Sequence, residues 1–216
     1  MTEHVKPRGY HAPRRQEQAR RTRRAILDAA TRLFAERAYS ATTMTAVADQ
    51  AGVALDTVYA AVGPKPVLFR LLVETAISGT DAPVPALERD YVRAIRAEPD
   101  AARKLTLYAQ AIGRIQQRLA PLVQVLQQAA AGDAELAALW RGIADRRAAN
   151  MRLLAAELAA TGALRPELSV EEVADVLWSM NSPELYLLLV DQRGWDPDRY
   201  QRWLADAWQR LLLRPA

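Results

Sequence analysis

Asp56, Thr57 and Tyr59 fall within four positions of one another in the stretch DQAGVALDTVYAAVGPK, Asp49 to Lys65. No catalytic set accompanies them. The chain has two histidines, His4 and His11, and no cysteine, so the usual bases, nucleophiles and zinc ligands are missing. It has no glycine loop of the kind that cradles phosphate. Glu171 and Glu172 are adjacent, point apart on a helix and read as helix-start charges. The expectation is no enzyme, no metal site and no cofactor. The chemistry left is hydrogen bonding and charge pairing by hydroxyls, a carboxylate, an ammonium and many guanidiniums.

Short helices position these groups. TMTAVADQA predicts one helix ending at Ala51, with Thr43 as its cap, Gly52 as a left-handed stop and Val53 as an apolar plug. A second helix follows over Leu55–Ala61 and buries Val58. Helix, tight turn, helix is an arrangement that presents the second helix to the major groove of DNA. Thr43 and Thr45, at a helix start, are placed to donate to a phosphate beside the helix N-terminus.

Upstream, Ile26, Leu27, Ala30, Leu33 and Phe34 recur at spacings of three and four from Arg20 onward, until Ala38-Tyr39-Ser40 breaks the pattern. Downstream, Gly63-Pro64-Lys65-Pro66 stops the reading helix and Pro66 starts another, up to Gly79. The stretch GTDAPVP then marks a boundary. Further helices are expected over 85–97, 99–119, 121–131, 133–161, 169–191 and 196–213, with a capping box at Ser169 and Glu172 and a Pro197 start after Asp196. No strand pattern is evident. The chain reads as all-α: an arm over 1–19, a head over 20–78 and a body over 79–216.

Charge separates these parts. Residues 1–70 hold twelve Lys and Arg against six Asp and Glu, and the remainder seventeen against nineteen, within an overall net charge of +4. A basic front on a nearly neutral body points to a nucleic-acid partner. Residues 1–19, with Pro7, Gly9 and Pro13, read as a disordered basic arm. Arg20, Arg21, Arg23 and Arg24 are either phosphate contacts or the solvated start of the first helix, with phosphate contact favoured. The absence of cysteine fits a reducing compartment, the Arg-rich start is no signal peptide, and LYLLLV is too short to span a bilayer. A soluble cytoplasmic protein without a membrane partner is expected.

From Arg23 to Glu74, RRAILDAATRLFAERAYSATTMTAVADQAGVALDTVYAAVGPKPVLFRLLVE resembles the N-terminal DNA-binding domain of the TetR family of transcriptional regulators. SPELYLLLVDQRGWDPDRYQRWLADAW resembles the C-terminal end of some members. The resemblance implies a three-helix head, a fourth helix leading to the body, operator DNA as partner, a homodimer, and a small effector whose binding releases a repressor. It implies that Tyr59 and Lys65 face phosphates, leaving Leu55, Asp56, Thr57 and Ala60 to meet bases. For Asp56, a helix-start charge that never sees a base is an equally good reading. The chain departs from the family pattern at Ala38 in place of glycine, Ala54 in place of a serine cap, and Ala60 and Ala61 after the tyrosine.

In the body, Trp178, Trp195, Trp203 and Trp208 lie in the last forty residues. Val173 and Val176 share one apolar face with Leu177 and Met180, and Trp208 and Leu211 another with Leu204 and Leu212. By the resemblance these faces form the dimer interface; an ordinary core fits the same spacing. Tyr108, Ile112, Trp140, Met151 and Trp178 are the candidate lining of a pocket for a lipophilic or aromatic effector. The alternative function is a DNA-binding regulator of the same fold with no small effector, controlled by a protein partner.

Overall fold

Residues 12–80 and 84–215 are described by a computed structural model. They contain ten α-helices in two units, divided between Leu72 and Val73.

The first unit holds α1 (Ala12–Ala41), α2 (Met44–Ala51), α3 (Leu55–Val62) and the first half of α4 (Lys65–Ser78). Helix α1 starts at Ala12, so residues 12–19, expected in the arm, are helical; the rest of that arm lies outside the described residues. Gln, Ala and Arg are good helix formers, and Glu17 pairs with Arg21 at 3.1 Å, one turn on. The expected break is a kink at Ala38, whose φ of 61° and ψ of 172° lie in a region that favours glycine. The kink carries Tyr39 back onto Phe34 (5.6 Å between centroids, stacked) and onto the edge of Phe69 from α4 (5.5 Å). Buried Thr42 closes the turn by donating to the Leu33 and Ala38 carbonyls. Ile26, Leu33, Phe34, Val47, Val58, Leu68 and Phe69 form the core of this unit.

The second unit holds the rest of α4, α5 (Asp90–Ala97), α6 (Ala101–Ala130), α7 (Ala134–Ala160), α8 (Val170–Met180), α9 (Pro183–Tyr186) and α10 (Pro197–Leu212). Helix α6 runs unbroken through Pro121, where the sequence predicts two helices. Leu119, Ala120, Leu122 and Val123 are all buried around it, so packing outweighs the lost backbone bond. The predicted helix 169–191 is instead interrupted at Asn181 and Ser182. Ser182 caps α9 through the Leu185 N–H, with Pro183 at its first turn, and a π-helical turn follows over Leu187–Gln192. Helix α6 packs against both α7 and α10. Gly113 permits the approach of α10: a β-carbon there would meet Gln201 at 2.3 Å. An antiparallel bridge between Leu164 and Leu213 ties the end of α10 to the α7–α8 loop. Among the described residues, no helix is long and apolar enough to cross a membrane.

Candidate nucleic-acid interface and body cavity

Helix α2 begins at Thr43, whose hydroxyl accepts from the Ala46 N–H at 3.1 Å. It ends at Gly52, left-handed at φ 67°, whose N–H reaches the Ala48 and Asp49 carbonyls. Space does not demand the glycine, because a β-carbon there would meet nothing within 4 Å; the conformation does. The turn throws α3 out with Val58 and Val62 buried and Leu55, Asp56, Thr57, Tyr59 and Ala60 exposed on the other side. Tyr59 is 47% exposed. Thr43 and Thr45 are exposed as well. Ala54 offers α3 no side-chain cap, and Asp56 supplies a charge in the first turn instead.

The other end of α3 holds a feature the sequence reading missed. Arg23 donates from Nη1 to the Ala61 carbonyl at 2.8 Å, so the side chain expected on phosphate anchors the reading helix to α1. A guanidinium at a helix C-terminus meets both unpaired carbonyls and the negative end of the dipole. Arg20 and Arg24 are exposed, and Arg21 is engaged by Glu17. The Lys65 ammonium lies 4.2 Å from the Tyr39 ring centroid and 3.5 Å from the Ser40 carbonyl, at the start of α4.

The body contains a cavity of about 790 Å³. Ile95, Ile112, Ile115, Leu119, Ile143 and Leu154 supply much of its apolar wall. Of the five predicted lining residues, Tyr108, Ile112 and Met151 line it, and Trp140 and Trp178 do not. Trp178 lies outside, with its indole N–H toward the Ala144 carbonyl at 3.4 Å and Arg147 over its ring at 4.7 Å. Apolar periodicity marks the inner face of a helix, and that face also serves the ordinary core.

A polar knot lies against this cavity. Asn181, fully buried, donates from Nδ2 to the Tyr108 hydroxyl at 2.6 Å and toward Met151 Sδ at 3.0 Å. Gln116, a cavity residue, donates to the Asn181 carbonyl at 2.6 Å, leaving its own Oε1 without a partner. Burial raises the Tyr108 phenol well above the usual tyrosine range, so it stays protonated. Gln116 and Asn181 were not anticipated. One polar side chain on the Leu105–Ile112–Leu119 stripe was the available signal for the first, and Ser182-Pro183 for the helix end that aims the second inward.

The expected interface residues divide. Val173 and Trp208 are buried within the protomer, with Trp208 stacked on Tyr108 at 5.3 Å. Val176 is half-buried and Leu211 is 51% exposed. Spacing separates inner from outer faces only when the direction of the neighbouring helix is known, and here α6 takes the face that Trp208 sits on.

A short helix set out by a glycine turn gives the first unit the form of a helix-turn-helix head, a class of DNA-binding arrangement, and the second unit is a helical body with a cavity. Residues 26–63 match the family model for bacterial regulatory proteins, tetR family. The head is thus a tetR-family head, and the fold is shared with solved regulators. NalD of Pseudomonas aeruginosa, described as the secondary repressor of the MexAB-OprM multidrug efflux pump, is 24% identical, with a TM-score of 0.69 over 93% of this chain and 100% of that one. FadR of Bacillus subtilis in complex with stearoyl-CoA is 19% identical, with a TM-score of 0.64 over 85% and 96%. A transcriptional regulator of Saccharomonospora viridis in complex with choline is 18% identical, with a TM-score of 0.66 over 89% and 98%. A sequence search of curated proteins returns no match.

Proposed function

We propose that this regulator is a cytoplasmic homodimeric repressor released from its operator by a small lipophilic or aromatic molecule bound in the body cavity. The observation that carries this reading is the cavity itself. Its volume of about 790 Å³ and mostly apolar wall suit a drug-sized ligand. Two of the neighbours above are described with a small molecule bound, and a third as a repressor. Nothing comparable favours control by a protein partner.

In this reading, α3 enters the major groove with Leu55, Asp56, Thr57 and Ala60 toward base edges. Tyr59, Lys65, Thr43 and Thr45 contact phosphates, assisted by Arg20, Arg21 and Arg24. Asp56 accepts from a cytosine amino group, while Leu55 and Ala60 pack on thymine methyls. Helix α4 carries Phe69 of the head's aromatic cluster in its first half and Glu74 and Ile77 of the cavity wall in its second. A ligand shifts DNA affinity only by its differential affinity for the gripping and non-gripping arrangements; a hundredfold preference is worth about 2.7 kcal/mol.

The test selects operator DNA from a random pool, then titrates candidate compounds into the complex. A true effector lowers DNA affinity, and operator weakens that effector's binding by the same factor. If every compound that binds the body binds equally well with and without operator, the effector reading is wrong.

A further inference from the structure

The cavity wall is unbalanced in charge. Arg89, Arg96, Arg146 and Arg147 line it, against Glu74 and Glu157. Three of the four arginines are satisfied. Arg89 donates to the Val84 carbonyl at 3.0 Å, Arg96 pairs with Glu157 at 3.1 Å, and Arg146 pairs with Glu74 at 2.8 Å. Arg147 differs. Among the described residues it has no carboxylate at ion-pair distance, and its Nε is buried without an acceptor. Its guanidinium has a π-face contact, over Trp178 at 4.7 Å. Glu184 is near enough to favour the charge but makes no ion pair with it, and its Oε1 accepts from Gln127 Nε2 at 2.5 Å. Burial outweighs that influence and holds the Arg147 pKa below the usual arginine range, although the group stays charged. A half-buried guanidinium lacking its anion is costly, and an arriving anion would offset that cost.

We infer that the effector is an amphiphile with one anionic head, a carboxylate, that pairs with Arg147 while its apolar tail lies against Ile112, Ile115 and Ile143. This rests on reading the cavity as the effector site. A cationic head meets a wall with two more arginines than carboxylates. A neutral head leaves Arg147 as it is.

Three probes with the same tail separate the cases: dodecanoate, 1-dodecanol and dodecyltrimethylammonium, each titrated calorimetrically into the full chain, the two ions below their micelle concentrations and the alcohol below its solubility limit. Dodecanoate should bind at least about tenfold more tightly than dodecanol, the weight of one charge-assisted hydrogen bond, and the ammonium most weakly. Arg147→Gln should remove the advantage of dodecanoate and leave dodecanol unchanged, and Arg147→Lys should restore part of it. An unchanged melting temperature shows that each variant is folded; if Arg147→Gln is not, Arg147→Met and the order of the three probes on the unmodified chain decide. Equal binding of dodecanoate and dodecanol, or an equal loss of both in Arg147→Gln, overturns the anionic head while leaving the cavity as an effector site. Failure of all three probes to bind overturns the inference, while the cavity reading falls only on the operator titration given above.

Discussion

Arg23 Nη1 stands 2.8 Å from the Ala61 carbonyl, so the first helix of the head holds the last turn of the reading helix. A charged donor on a helix-end carbonyl is worth about 1.5–3 kcal/mol where it is sheltered, and this one is part-buried. Arg23→Met should therefore lower head stability by about 1–2 kcal/mol, read as an earlier thermal transition. Arg20→Met, on an exposed side chain, should leave that transition in place and reduce the salt dependence of DNA binding by about one unit. If Arg23→Met changes the salt slope and not the melting, Arg23 is a phosphate contact after all.

Lys65 has two roles to separate. Its ammonium sits over the Tyr39 ring, an exposed cation–π contact worth about 0.5–1 kcal/mol, and Lys65 is also proposed to meet phosphate. Lys65→Ala should weaken operator binding, with a salt slope smaller by about one, and cost little in stability. Lys65→Arg should recover both. An unchanged slope in Lys65→Ala measured across several salt concentrations would confine the residue to its intramolecular contact.

The head was legible in the sequence because its signals are local. Thr43, Gly52 and the spacing of Val58 fix a cap, a left-handed stop and a buried face within a few residues of each other. The role of Arg23 was not legible, since its partner lies 38 residues away and a carbonyl leaves no mark in sequence. In the body, periodicity located Tyr108, Ile112 and Met151 on inner faces but could not say which inner face borders empty space. The same ambiguity placed Trp208 at an interface when α6 already covers it. Asn181 was hidden because 169–191 reads as one apolar helix, and the break that turns the side chain inward depends on Ser182-Pro183.

Two alanines stand where the backbone wants other residues. Ala38 adopts φ 61° and ψ 172°, a conformation costing a side-chain-bearing residue about 1–3 kcal/mol. Ala38→Gly relieves this and loses about 0.5–1 kcal/mol of unfolded-chain entropy, so a net gain of about 1 kcal/mol is expected. Ala54 leaves the α3 N-terminus without a side-chain cap. Ala54→Ser should add about 1 kcal/mol. Denaturant midpoints for the two variants check both values. No gain in Ala38→Gly would mean that the unmutated kink is not strained.

Val176 and Leu211 carry the proposed dimer interface, and Trp208 serves as its control. Val176 is half-buried on α8, and Leu211 is 51% exposed on α10, so both have apolar surface left for a second copy. Trp208 is fully buried against Tyr108 and has none. Replacing Val176 and Leu211 together with glutamate puts two carboxylates on the outer faces of folded helices. They cost little in a monomer exposed to water and a great deal if an interface must bury them unpaired. Sedimentation should then show folded monomers with unaltered helix content by circular dichroism. Trp208→Glu should instead unfold the body, because the carboxylate replaces a large ring inside a packed core; truncating a buried aromatic alone costs about 3–5 kcal/mol. A dimer that survives the double substitution moves the interface off these faces. A Trp208→Glu chain that stays folded but becomes monomeric would return Trp208 to the interface and show that its burial against Tyr108 is dispensable.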